Sequence, residues 1–194
     1  MVKKLLLALV FSLIAIPLLV VAVALTRPDT FQVERSTRLA APPEAVYASV
    51  IDFRQWERWS PWARLDPKQK TTLVGEGVGA VYTWSGDDKV GSGRMTIVEA
   101  VPGARVGIKL EFLRPFEQTN ETAFLIAPDG AGSRLTWQMK GHNGFVGRAM
   151  SIFMDMDKML GPDFEKGLAS LKAELERPAT PTPTPTAAEP SPAK

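Results

Sequence analysis

The chain has no cysteine and a single histidine, His142, among its 194 residues. Without thiols there is no disulfide framework, thiolate zinc or iron–sulfur site, cysteine nucleophile or lipid-modified cysteine, whatever the redox compartment. One imidazole is too few for a histidine-based metal site, so no metal and no cofactor are expected. An excess of charge is also lacking: 23 Lys and Arg stand against 21 Asp and Glu, a net charge of +2. No basic cluster interleaves with aromatic residues, and nucleic acid is not expected as a partner. No Gly-x-Ser-x-Gly elbow is present. Gly75-Glu76-Gly77-Val78-Gly79 is followed by strand-like residues where a phosphate loop needs a helix N-terminus, and reads as a turn.

What is present divides the chain into three. Leu5 to Leu25 carries no charge, follows Lys3 and Lys4, and precedes Arg27, Pro28 and Asp29. At about 1.5 Å per residue it reaches roughly 30 Å, a bilayer's hydrocarbon core, so residues 1–30 are expected to be a single-pass transmembrane anchor and linker. Pro17 would break a soluble helix but is tolerated as a kink in a membrane helix. Ala22-Val23-Ala24 also fits a cleavage site. The competing reading is therefore a signal peptide, whose apolar run is usually shorter, roughly 7–15 residues. Lys3 and Lys4 favour a cytoplasmic N-terminus and an extracytoplasmic domain at the cell membrane, a bias that Arg27, Arg35 and Arg38 weaken. From Arg177 the chain is Pro- and Thr-rich without a large apolar residue, so residues 177–194 are expected to be a disordered, extended tail.

Residues 31–176 are left to form the core. Phe31, Val33, Arg35, Thr37 and Leu39 alternate with polar neighbours, the period of a half-buried strand. Ala41-Pro42-Pro43-Glu44 then opens a helix with the apolar face Val46, Tyr47, Val50 and Ile51. Short helical turns are expected over Phe53 to Trp62. Six strands follow: Thr71–Gly75, Ala80–Ser85, Gly93–Ala100, Arg105–Phe112, Thr119–Ala127 and Arg134–Lys140. Their connections carry turn residues and are too short for parallel crossovers, so neighbours are antiparallel. After Gly144 a helical stripe of Phe145, Ala149, Ile152, Phe153, Met156 and Leu160 is widened by Val146, Met150 and Met154. Gly161-Pro162 is expected to interrupt this helix before Phe164, Leu168, Leu171 and Leu175 continue it. The result is an α+β fold in which one curved antiparallel sheet covers a long C-terminal helix.

Four stretches carry a family resemblance: Ala41-Pro42-Pro43-Glu44-Ala45-Val46-Tyr47, Trp56-Glu57-Arg58-Trp59-Ser60-Pro61-Trp62, Gly91-Ser92-Gly93-Arg94-Met95-Thr96-Ile97 and Gly161-Pro162-Asp163-Phe164-Glu165-Lys166-Gly167-Leu168. With the order of elements, they resemble the START-like helix-grip fold of the SRPBCC superfamily, in particular its polyketide cyclase/dehydrase and lipid transport branch. The resemblance covers residues 31–176 and implies about seven strands around the last helix. It also implies a hydrophobic cavity between them, and no universal catalytic set.

By alternation, Met95, Ile97, Ile108, Leu110, Phe112, Trp137 and Met139 belong on the concave face, opposite Met150, Phe153, Met154 and Met156. With Trp84, the first ten of these are the expected ligand-binding residues; Met156 is not among them. Methionine adapts to varied apolar guests but also fills ordinary cores. Trp56, Trp59 and Trp62 border the cavity, sit at a bilayer interface, or form a satellite core. His142 reads as a solvated loop residue. Asp155 and Asp157, two apart on a helix, point away from each other, and Lys158 pairs with Asp155. Glu99, Glu111 and Glu121 are expected on the outer face. The function expected is a membrane-anchored binding module for a hydrophobic small molecule or lipid. The alternatives are a cyclase/dehydrase-type enzyme on a polyketide-like substrate, using a carboxylate or Tyr82, and a structural or regulatory envelope protein without a ligand.

Overall fold

The N-terminal apolar run forms one continuous helix, α1 (Val2–Thr26), with Pro17 inside it. The structure, a computed structural model, describes residues 2–63 and 65–177, without the side chains of Leu5, Leu7, Ala8 and Val10. The tail from residue 178 onward lies outside the described residues. Among the described residues no helix is long and apolar enough to cross a membrane, so the expected span is not shown. What is shown is a helix of 25 residues, about 37 Å at 1.5 Å per residue.

Alternation then produces a seven-stranded sheet: β1 (Thr30–Leu39), β2 (Lys70–Val74), β3 (Val81–Ser85), β4 (Ser92–Val101), β5 (Arg105–Arg114), β6 (Gln118–Asp129) and β7 (Gly132–His142). The order is β1-β7-β6-β5-β4-β3-β2, antiparallel throughout. Tight hairpins set this meander. Gly103 (φ +67°) and Gly130 (φ +66°) occupy the left-handed region that the β4–β5 and β6–β7 turns require. The register slips between Ile97 and Glu99, a bulge that bends β4 and helps curve the sheet. Pairing places side chains in concave rows: Trp84, Gly93 and Phe112; Met95 and Leu110; Ile97, Ile108, Thr122, Met139 and Val33; then Phe124, Trp137 and Arg35.

Helices fill the concavity. α2 (Pro43–Ile51) starts with proline at its first position, where a missing N–H costs nothing, and buries Val46 and Val50. A 3₁₀ turn, Phe53–Gln55, is capped by Asp52 and leads into α3 (Trp56–Trp59). After β7 come α4 (Phe145–Met150) and α5 (Met156–Leu175).

The break between helices differs from the sequence expectation. It lies at residues 151–155, whereas α5 runs on through Gly161-Pro162. Asp155 is the reason: its carboxylate accepts from the backbone N–H groups of Asp157 and Lys158, an N-cap that starts α5 there. The wide stripe belonged to two helices. α5 lies along β1 and α3, while α4 lies against α1, where Ala24 is fully buried.

Candidate functional site

The inner half of the concave space is filled by aromatic rings. Trp137 on β7 stacks on Phe164 of α5 with centroids 4.3 Å apart and planes at 15°. Trp59 and Trp62 meet Trp137 edge-on at 5.7 and 5.5 Å, and Trp56 meets Phe124 at 5.6 Å. Such edge and stacked pairs add roughly 0.5–1.5 kcal/mol each beyond their buried area. Trp56 and Trp59 are thus buried members of the main core rather than a rim or satellite, with Trp62 packed against it. The Trp56 indole N–H donates to the Val50 carbonyl at 3.1 Å. α5 approaches closely because residue 167 is glycine: a Cβ there would lie 2.8 Å from the Trp137 ring.

Toward the end of the sheet from which α1 leaves, the concave face is less covered. Trp84 lies across Gly93, where a Cβ would collide with its indole, and meets Phe112 edge-on at 5.8 Å. Its N–H donates to the Val90 carbonyl at 3.4 Å. Trp84, Met95 and Phe112 are half-buried, and Leu110 is the buried floor between them. Of the residues expected to bind a ligand, Ile97, Ile108, Leu110, Trp137 and Met139 are therefore on the concave face as core, and Trp84, Met95 and Phe112 on its accessible part.

Met150, Phe153 and Met154 are elsewhere. They are exposed on α4 and the turn after it, because the Asp155 cap ends the helical phase that would have turned them to the sheet. Met156, in the first turn of α5, does pack on the core.

Beside the apolar floor, a cleft of about 290 Å³ lies between β2–β3 and the α3–β2 connection, lined by Glu57, Ala63, Asp66, Pro67, Gln69, Thr71 and Tyr82. Burial, with the Glu57 charge, pushes the Tyr82 phenol above its ordinary value, against the pull of hydrogen bonds with Gln69 and Thr71. Tyr82 is therefore a neutral donor and not a base. On the core side Thr122 Oγ1, Trp59 Nε1 and Trp137 Nε1 are buried without a hydrogen-bond partner among the described residues.

The carboxylates on the strands sit outside this space. Glu111 receives Arg94 at 2.6 Å and Lys109 at 2.9 Å on the convex face, and these cations hold its carboxyl down at about 2. Glu99 pairs with Arg105 at 2.7 Å, and Glu121 is exposed. Glu111, held so low, stays ionised at neutral pH and is no proton donor there. His142 is exposed at the end of β7, and Lys158 lies 4.0 Å from Asp155. Among the described residues no acidic or histidine group could hold a metal ion.

Asp157 has a partner that the helical spacing did not reveal. Arg35, in the inward register of β1, donates to both its carboxylate oxygens, and through Nε to Glu165 at 2.7 Å. Gly161 leaves room for this guanidinium against α5. The available signal was a charge on the inward row of an alternating strand, which must find a counter-charge inside.

A curved seven-stranded sheet closed by a C-terminal helix, with an apolar concave face, defines a helix-grip domain. The chain belongs to the polyketide cyclase/dehydrase and lipid transport family of the SRPBCC superfamily, whose model matches residues 30–176. Similar solved structures include a Chromobacterium violaceum protein (20% identity, TM-score 0.54, covering 77% of this chain and 98% of that one). A Rhizobium leguminosarum protein matches at 15% identity and TM-score 0.57, covering 77% of this chain and 96% of its own. DynU16, from the dynemicin biosynthetic locus, matches at 16% identity and TM-score 0.53, covering 77% of this chain and 48% of its own. At these identities the likeness is one of fold. A search of curated proteins finds no match.

Proposed function

We propose that the domain is a binding module for a hydrophobic small molecule or lipid acyl chain, held at a membrane by α1. The observation that carries it is the accessible part of the concave face. Trp84, Met95 and Phe112 offer adjoining apolar surface around Leu110, with no charged side chain in those rows. Burying such surface contributes about 25 cal/mol per Å². The polar cleft beside Tyr82 is suited to the head of an amphiphile, oriented by a neutral phenol. The family's lipid-transport branch supports the reading, and the filled inner half limits the guest to the outer part of the space.

The anchor is the continuous, charge-poor helix α1, whose apolar side chains from Phe11 to Leu19 are largely exposed and call for a bilayer around them. Lys3 and Lys4 support an extracytoplasmic domain. Reporter fusions after Thr30 test the side: a cytoplasm-dependent reporter active there overturns it.

The binding reading is tested with cis-parinaric acid, whose absorption overlaps tryptophan emission. Saturable energy transfer in the wild type, weakened but not abolished in Trp84→Phe because the other four tryptophans still donate, and abolished by loss of binding in Met95→Trp, is the expected result. Absence of saturable binding together with no lipid in mass spectra of gently extracted protein overturns it. A second reading, a cyclase- or dehydrase-type enzyme, rests on the Tyr82 cleft. It requires turnover of a polyketide-like substrate that Tyr82→Phe abolishes.

A further inference from the structure

Among the described residues the exposed phenylalanines outside α1 are Phe116, Phe145 and Phe153. They share one end of the domain. Thr30 pairs with His142 and Phe112 with Gln118, so the exit of α1, the start of α4 and the β5–β6 turn carrying Phe116 lie together. The backbone N–H of Asn143 donates to the Asp29 carbonyl at 2.6 Å, tying the entrance of α4 to the end of α1. From there α4 packs against α1, in which Ala24 is completely buried. Ala24 lies on the apolar side of Arg27, three residues or about 4.5 Å along the axis.

We propose that this end of the domain is itself a membrane-docking surface, with α4, the turn after it and the tip of the β5–β6 turn seated in the interface of the bilayer that holds α1. The inference rests on the anchored reading above and adds the depth and orientation of the domain. Val146 is 69% exposed, Phe153 78% and Phe116 79%, a cost in water that an interfacial position removes. Interfacial elements bury their apolar face by roughly 5–10 Å, the level at which contact with α1 holds α4. A bilayer is favoured over a second copy of the chain because α4, which carries Phe145 and Val146, packs directly against α1, whose own exposed apolar side chains need lipid. The accessible concave row of Trp84 and Phe112 lies at this same end. A guest leaving the bilayer there meets the groove without crossing bulk water.

The cysteine-free chain allows a direct test. The full chain carries a single environment-sensitive fluorophore at Val146→Cys, Phe153→Cys or Phe116→Cys, in vesicles of phosphatidylcholine and phosphatidylglycerol with or without lipids spin-labelled near the head group. Leu13→Cys within α1 reports the anchor, and Ala131→Cys in the β6–β7 turn reports the water-facing end. Expected is loss of most fluorescence at 146, 153 and 116 with the spin-labelled lipid, and no loss at 131. If 13 is shielded from water while 146 and 153 behave like 131, the docking surface is wrong and the anchor stands. If 13 is also water-exposed, the anchor reading fails and the docking surface with it. Shielding at 146 and 153 without quenching by lipid, accompanied by 146–146 cross-linking, assigns the patch to a second copy and overturns the proposal.

Discussion

Arg35 of β1 grips Asp157 in the first turn of α5 through two parallel hydrogen bonds of 2.7 and 2.9 Å, and the same guanidinium reaches Glu165 two turns on. The pair ties the first strand of the domain to its last helix across the edge of the sheet. Arg35→Met is expected to loosen the start of α5, read as faster amide exchange at Asp157–Met159 and a lower Tm. Hydrogen bonds from Arg35 hold the Asp157 carboxyl below its ordinary value, so its contribution is present at neutral pH and is lost as pH falls through the folded value. Protection factors in this turn of the wild type, corrected for the intrinsic pH dependence of exchange, therefore fall on acidification, and Asp157→Asn removes that dependence.

Glu111 makes the same argument on the convex face. Its hydrogen bonds with Arg94 and then Lys109 lower its carboxyl from 4.5 to about 2. Since the folded state holds the proton more weakly than the unfolded chain, stability is full above about 4.5 and declines as pH falls toward 2. Urea melts at pH 7 and pH 3 should show a smaller acid loss in Glu111→Gln than in the wild type, and a carboxyl titration by NMR should place Glu111 well below 4.5.

Gly167→Ala tests how closely α5 is held to the sheet. On an exposed helix surface this change stabilises by about 1 kcal/mol. Here the new Cβ would lie 2.8 Å from Trp137 and 3.1 Å from Pro61, both in packed surroundings. Overpacking costs about 1–3 kcal/mol, so the variant is expected to be destabilised despite the better helix former. Chemical denaturation measures the sign directly.

Phe164→Ala removes the ring stacked on Trp137 at 4.3 Å and should cost about 3–5 kcal/mol, a large share of a typical domain's 5–15 kcal/mol. Met95→Trp, at the half-buried end of the same face, should change the unfolding midpoint far less while blocking the probe. Similar losses of stability for the two would mean that both ends are equally filled.

Alternation made the sheet legible. The expected strand Arg134–Lys140 lies within β7, and the start expected for the fifth strand, Arg105, is that of β5. Turn glycines marked the β2–β3, β3–β4, β4–β5 and β6–β7 hairpins because few other residues accept their backbone angles, whereas the β5–β6 turn carries Pro115 and no glycine. Five of the eleven expected ligand residues form concave-face core and three line its open part, since period two assigns faces unambiguously. The helical end was harder to read. Phe145 to Leu160 satisfies one periodic stripe whether or not a cap intervenes, so hydrophobic spacing alone did not reveal Asp155 as the start of α5. Arg35 was visible as an inward charge, but its partner, 122 residues away, is set by how α5 crosses β1.

β1 pairs with β7, the last strand to be made, while β2 to β7 join neighbours in chain order. The strand adjoining α1 is thus the first to be synthesised and the last able to find its partner. In the interval its edge stays unpaired, the point at which a chaperone or a misplaced strand would meet the chain.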